Sequence, residues 1–233
     1  MTTLFAILQG IGVLLIGLTL RVSLLVLVLA ALSVPVLLVY LGVRWLRGAY
    51  RRRREFSELS GLPWRSGLLH TRGHLWLKRE ASGFKLGVDG IAQRLLAGVE
   101  AVSLPAVGAT LRRGEPIAEV VTASRRVPIL APMDGTVAGV NGLLRRQPKK
   151  LARDPYFGGW LLTFKPRKAE LELCLEGDTA RSWFKEESGR LARLLEHELG
   201  VAAADGGEPL AAPEKALTKD QWERLTAAFL KAA

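Results

Sequence analysis

The first 43 residues are almost continuously apolar, and polar residues alternate with apolar ones only beyond them. Between Leu4 and Val43 the only formally charged side chain is Arg21. The run Val22–Val43 is long enough to cross a hydrocarbon core of about 30 Å as a helix, and Leu4–Leu20 lies near the lower limit. The pattern predicts either one transmembrane helix or a transmembrane helical hairpin, and we favour the hairpin. In the alternative, the first run lies in the membrane interface or against a partner subunit.

Six arginines and a tryptophan follow the apolar region, and they predict its orientation. Cytoplasmic flanks of membrane spans are rich in Lys and Arg, and Trp favours the interface. We therefore expect an anchor in the inner (cytoplasmic) membrane, with the soluble region facing the cytoplasm. A basic patch that meets anionic lipid would predict the same side. The predicted membrane-interface residues are Arg44, Trp45, Arg47, Arg51, Arg52, Arg53 and Arg54.

Short alternating runs separated by turn residues fill the middle of the chain and predict a mainly β domain. "HLWLKREASGFKLGV" predicts a β-hairpin, and Asp89 is placed to cap a following helix. Further strands are predicted within "VEAVSLP", "TLRRGEPIAEVVT", "VPILAPMDGTVAGV" and "GWLLTFKP". Residues 55–68 lack such a pattern, and we interpret them as a linker.

Apolar residues at helical spacing mark the C-terminal region. One helix is predicted to end near Gly200, an Ala-, Gly- and Pro-rich linker follows at 201–216, and Thr218 begins a capping box for a terminal helix. Trp222 and Phe229 belong to the apolar stripe of that helix, which either packs on the domain or docks a partner. The predicted organisation is a membrane anchor (1–46), a juxtamembrane segment and linker (47–68), a β domain with its helix (69–200), a linker (201–216) and a terminal helix (217–233).

Charge and candidate chemistry narrow the function. Residues 1–54 hold seven arginines and no acidic residue, so they carry +7 of the net charge of +11. This concentration of positive charge indicates a membrane junction, and we expect no binding to nucleic acid. His70 and His74 lack the further ligands of a metal site, and Cys174 fits a small apolar position. We expect no metal site and no catalytic site, and therefore no enzymatic activity.

Four segments follow one another along residues 70–175: "HLWLK", "GVDGIAQRLLAGVEAVSLPAVGATLRRGEPIAEV", "APMDGTVAGVN" and "DPYFGGWLLTFKP". Together they resemble the glycine cleavage H-protein family. "HLWLK" is similar to its early strand, and "GVDGIAQRLLAGVEAVSLPAVGATLRRGEPIAEV" to its helix and the strands that lead to a carrier hairpin. "APMDGTVAGVN" is similar to the return strand, and "DPYFGGWLLTFKP" to the closing segment. The resemblance implies a barrel-sandwich hybrid of the lipoyl/biotinyl-carrier type with flanking helices.

The resemblance also implies a lysine at the hairpin tip that carries lipoate, and this sequence departs from it. The implied position falls on Ser124, and no lysine lies between Lys85 and Lys149. Serine has no amine, and the arginine guanidinium stays protonated, so neither forms the lipoyl amide. We expect no cofactor. Basic residues stand near the tip instead, and they predict docking either to an acidic protein surface or to lipid head groups. The predicted docking residues are Arg125, Arg126, Arg145, Arg146, Lys149 and Lys150, together with Trp222 and Phe229 of the terminal helix.

The expected function is therefore that of a non-catalytic, unlipoylated H-protein-like subunit or adaptor, anchored in the membrane and docking a larger complex. One alternative is a carrier modified at another residue, for example Lys85 or Lys149. A second is a membrane-fusion subunit of an exporter, although such chains usually insert long helices at the hairpin tip and face away from the cytoplasm.

Overall fold

A computed structural model describes residues 2–122, 125–167, 171–199 and 217–231. The chain divides into two compact units, residues 1–54 and 55–233. Each unit is described by itself below.

The first unit is a single helix, α1 (Thr2–Glu55), so the prediction of a transmembrane helical hairpin is wrong. The helix continues through Arg21 and Pro35, because the segment between the two apolar runs lacks the Gly or Pro that would begin a tight turn. Within Gly10–Leu46 an 18-residue window has a mean hydropathy of 2.9, and the large apolar side chains of the stretch are exposed. At 1.5 Å per residue this stretch is about 55 Å long, so it is a candidate membrane span by length and composition.

The second unit is mainly β, with eleven described strands in three antiparallel sheets. One sheet pairs β1 with β2, one has the order β3-β4-β5-β11-β10-β7, and one has the order β6-β8-β9. The strands are β1 (Phe56–Leu59), β2 (Leu62–Arg65), β3 (Leu69–His70), β4 (Leu75–Glu80), β5 (Gly83–Val88), β6 (Val99–Ser103), β7 (Thr110–Leu111), β8 (Pro116–Thr122), β9 (Arg125–Leu130), β10 (Gly135–Val140) and β11 (Leu162–Pro166). The predicted hairpin is confirmed as β4–β5.

The segment predicted to be a linker before residue 69 is partly a β-hairpin, and that prediction is wrong. Leu59 pairs with Leu62 across a two-residue loop, Ser60–Gly61, in which both residues have positive φ. A loop with two left-handed residues matches the twist of the strands it joins. Leu59, Leu62 and Trp64 are buried, so this hairpin contributes to the core of the domain.

Among the described residues, five α-helices flank the sheets: α2 (Gly90–Leu95), α3 (Leu143–Arg146), α4 (Lys150–Arg153), α5 (Gly177–Leu199) and α6 (Lys219–Leu230). The Asp89 carboxylate accepts hydrogen bonds from the backbone N–H groups of Ile91 and Ala92, as predicted for an N-cap. The predicted capping box of Thr218 and Gln221 is also present. The helices meet the sheets in one hydrophobic core.

The terminal helix α6 belongs to this core. Trp222 is 2% exposed and Phe229 is fully buried, and both lie in the same apolar cluster as the two larger sheets. Phe229 is therefore wrongly predicted as a partner-docking residue, and the buried ring of Trp222 is not available to a partner as an apolar contact. The apolar stripe of α6 covers the domain itself, and partner contacts are left to the polar side of the helix.

Candidate functional site

The β8–β9 hairpin holds the predicted tip. Val121 pairs with Arg126 and Thr122 with Arg125, so the described strands reach both sides of the tip position. Residues 123 and 124 lie outside the described residues, and the prediction for Ser124 concerns its sequence position alone. The described strands place Arg125 and Arg126 directly after the tip.

The two tip arginines have different surroundings. The Arg125 Nη2 donates a hydrogen bond to the backbone oxygen of Leu217 at 3.1 Å, and its guanidinium lies 6.0 Å from the centre of the Trp222 ring. Arg126 is 76% exposed and forms a 2.7 Å ion pair with Glu119 on β8. Arg125 therefore ties the hairpin to the start of α6, which partly corrects its prediction as a free docking residue. Arg126 keeps the exposure that docking needs.

The other predicted basic residues occupy the short helices α3 and α4. Leu144 and Leu151 are fully buried and fix these helices against β6 and α2. Arg145, Arg146 and Lys149 are exposed, and Lys150 is half-buried. In both helices a buried leucine packs against the domain, and the basic residues lie towards solvent. The structure brings Arg125, Arg126 and Trp222 together, and it places the α3–α4 cations on a separate stretch of surface.

The lysines nearest to the hairpin in sequence do not lie on it. Lys85 is on β5 of the six-stranded sheet, where its Nζ is 2.8 Å from a Glu80 carboxylate oxygen and 5.0 Å from the centre of the Trp160 ring. Lys149 precedes α4. Neither position supplies an amine at the β8–β9 tip, so the residues present do not fit an amide-linked lipoyl group there.

Reasoning from the sequence did not identify a buried ionic cluster around His74. His74 Nδ1 is 2.9 Å from Asp89 Oδ2, and Nε2 is 3.7 Å from Glu187 Oε2. Burial lowers the pKa of His74, but the Asp89 and Glu187 carboxylates outweigh this effect and raise it to about 9. Interaction with the His74 ring, and then with Arg190, lowers the pKa of Glu187. His74 is therefore an imidazolium that links the N-cap of α2 to α5.

His70 and Cys174, the other groups considered for chemistry, are electrically neutral. His70 stacks on Trp64 with ring centres 4.3 Å apart, and burial lowers its pKa to about 4. Burial raises the pKa of the Cys174 thiol to about 11, so it remains protonated at neutral pH. Within the described ranges, no cluster of three or more His, Cys, Asp or Glu side chains is arranged to hold a metal ion.

At the predicted membrane interface, Arg44 and Trp45 lie on α1 with exposed side chains. The side chains of Arg47 and Arg51–Arg54 lie outside the described part of the structure. The sequence pattern of these residues, next to a candidate span that ends at Leu46, therefore remains the observation on which orientation depends.

Comparison with known proteins places the second unit in a family. The glycine cleavage H-protein family matches residues 68–187. The glycine cleavage system H proteins of Shigella dysenteriae serotype 1 and Salmonella paratyphi B are each 33% identical over 131 residues, which is 55% of this chain and 100% of each relative. The crystal structure of the Mycobacterium marinum glycine cleavage system H protein is 26% identical, with a TM-score of 0.45, and the match covers 52% of this chain and 96% of that one.

The family match starts after β2 and ends within α5, so α1, the β1–β2 hairpin and α6 lie outside it. Inside it lie β3 to β11, the helices α2 to α4 and the first part of α5. A match to more than half of the chain, joined by full-length coverage of its relatives, identifies the family: this chain belongs to the glycine cleavage H-protein family.

Proposed function

We propose that this chain is a non-catalytic, unlipoylated member of its family, which anchors in the inner membrane and serves as an adaptor subunit of a larger complex. Its soluble domain faces the cytoplasm and docks a partner with an acidic surface. No covalent cofactor takes part in this role.

One observation carries the proposal: the hairpin of a carrier domain is retained while the amine that would carry a cargo is missing. The β8–β9 register is regular from the Ala118–Ile129 pair to the Thr122–Arg125 pair, and the sequence has no lysine from 86 to 148. A shift of the tip by several residues in either direction therefore supplies no acceptor. A retained scaffold without an acceptor favours use of its surface over use of a swinging arm.

Membrane anchoring is supported by α1, and orientation by charge. The apolar stretch Gly10–Leu46 exceeds the thickness of a bilayer core, and the arginine cluster lies at its C-terminal end. Positively charged flanks stay on the cytoplasmic side. Since the domain follows that flank directly, it lies on the same side.

A partner with acidic surface is supported by the exposed cations of the domain. Arg126 at the hairpin, Arg145 and Arg146 on α3, and Lys149 just before α4 are exposed. Complementary charge accelerates encounter and fixes orientation more than it adds affinity. We expect assembly to weaken as the salt concentration rises.

The test is purification of the full chain, with a C-terminal tag, from native membranes in mild detergent. The proposal predicts a complex in which another protein is present in a fixed ratio to the chain and is released at high salt. A chain that elutes alone as a monomer at low salt would refute the adaptor role. A reporter fused to Ala233 that is active only outside the cytoplasm would refute the orientation.

A further inference from the structure

A groove of about 600 Å³ runs between β9 and α6, next to the hairpin tip. Four consecutive residues of β9, 125–128, form one wall, and Lys219, Trp222, Glu223 and Lys231 belong to the α6 wall. The family match ends within α5, so α6, which forms one wall of the groove, lies outside the matched region.

The groove follows the edge of a sheet. Side chains of a strand alternate between the two faces, so a wall made of four consecutive residues must run along the strand edge. Within the described part of the chain, β9 is the outer strand of the three-stranded sheet β6-β8-β9. An edge strand offers backbone groups to an extended polypeptide, and Pro128 is tolerated there because one missing donor costs little at an edge.

The charge of the groove is positive. Arg125, Arg126, Lys219 and Lys231 line it, against the single carboxylate of Glu223. The ion pair of Lys219 with Glu223 spans 3.9 Å between side chains that are 78% and 63% exposed, so solvent weakens it. The groove therefore attracts anionic side chains.

Two buried donors give the groove a fixed polar anchor. The Trp222 Nε1–H and the Arg125 Nη1–H are buried and have no hydrogen-bond partner among the described residues. Trp222 is 2% exposed, so its ring is held in place by the core. A buried donor without a partner destabilises the fold, and an acceptor that reaches it removes that cost. Both groups only donate, and a carboxylate only accepts.

We propose that this groove binds an extended acidic segment of a partner protein, whose carboxylates meet the groove lysines and the buried Arg125 and Trp222 donors. The inference rests on the proposed adaptor function and names its docking site. A polypeptide fits better than a lipid headgroup, because the wall combines a strand edge and the apolar Val127 with the charges. The α6 helix thus builds a docking site and does not itself serve as the docked element.

The experiment measures binding of a fluorescent peptide of alternating glutamate and alanine to the full chain in detergent, by fluorescence anisotropy. The test variant combines Lys219→Glu and Lys231→Glu, both exposed and outside the core. The matched control combines Arg181→Glu and Lys185→Glu, which make the same charge change on exposed positions of α5 outside the groove. Thermal unfolding of both variants verifies that they are folded.

We expect the groove variant to bind the peptide more weakly than the wild type and the control by a factor of about five or more, since it reverses two charges and one exposed ion pair alone contributes up to about that factor. A peptide of alternating lysine and alanine should bind neither the wild type nor the control variant. Equal weakening in both variants, or no weakening in either, would overturn the inference. Displacement of the acidic peptide by phosphatidylglycerol micelles, but not by phosphatidylcholine micelles, would assign the groove to lipid and also overturn it.

These results separate the docking site from the proposed function. If the groove variant still co-purifies with the native partner as the wild type does, the groove inference fails while the adaptor function stands. If the wild type purifies alone, the adaptor function fails whatever the peptide result.

Discussion

The buried histidines His70 and His74 predict a stability maximum near pH 6.5. The folded state holds the His74 proton up to about pH 9, while the unfolded chain releases it near 6.5. Between these values the folded state binds more protons, so the free energy of unfolding falls as the pH rises. The contribution of His74 is fully present below pH 6.5 and is lost by pH 9.

His70 acts in the opposite direction. Its pKa of about 4 in the folded state lies below the unfolded value of 6.5, so the unfolded chain binds the extra proton as the pH falls through this range. Stability is then lost from pH 6.5 towards pH 4. Glu187, whose pKa is lowered in the folded state, adds to this acid limb as its contribution disappears on protonation.

The magnitude follows from the shifts. Each histidine pKa moves by about 2.5 units, and one unit corresponds to about 1.4 kcal/mol, so each limb amounts to about 3 kcal/mol. A marginally stable domain has roughly 5–15 kcal/mol in all, so the change is measurable. The assay is urea unfolding of the full chain in detergent, followed by tryptophan fluorescence at half-unit steps from pH 4 to 9.5.

Two variants test which histidine causes the acid limb and which causes the alkaline limb of the stability profile. His74 has a φ of +58°, which asparagine tolerates, so His74→Asn should remove the alkaline limb and leave the acid limb. His70→Phe keeps a ring against Trp64 and should flatten the acid limb. Stability that is constant or rising from pH 6.5 to 9, with the same profile in His74→Asn, would refute the ionic cluster.

Three further predictions concern α6 and the hairpin. Phe229→Ala should lower the free energy of unfolding by about 3–5 kcal/mol, because the ring is fully buried. Val107→Ala, at a 60% exposed site, is the control and should change it by less than about 0.5 kcal/mol, so equal urea midpoints for the two variants would contradict the place of α6 in the core. Arg125→Glu should destabilise the domain, because it removes the bond to the Leu217 carbonyl and puts a carboxylate beside it. Arg126→Glu, at 76% exposure, should leave urea unfolding within about 1 kcal/mol but reduce co-purification with the partner, and intact assembly would mean that Arg126 makes no contact there.

Local patterns in the sequence were sufficient for much of the fold. The β4–β5 hairpin, the Asp89 cap and the Thr218 capping box each depend on neighbouring residues, and the structure confirms them. The β1–β2 hairpin was missed although its Ser60–Gly61 loop was a recognisable turn signal. Its strands are only four residues each, too short for alternation to separate them from a linker.

The candidate site was predictable only in part, because its contacts are non-local. Arg125 meets Leu217 from 92 positions away, and His74 meets Glu187 from 113 positions away, so no spacing rule connects them. The apolar stripe of α6 was recognised, but a stripe does not say whether it covers its own domain or another. The missing lysine, in contrast, is a property of the sequence itself.

The most direct test of the central claim is the intact mass of the full chain isolated from native membranes. The account predicts the mass of the unmodified polypeptide, apart from processing of the initiator methionine. A Ser124→Lys variant expressed in the same cells is the matched comparison, because it restores an amine at the hairpin position where the family acceptor falls. A wild-type mass increased by a lipoyl group, on Lys85, Lys149 or any other residue, would contradict the account.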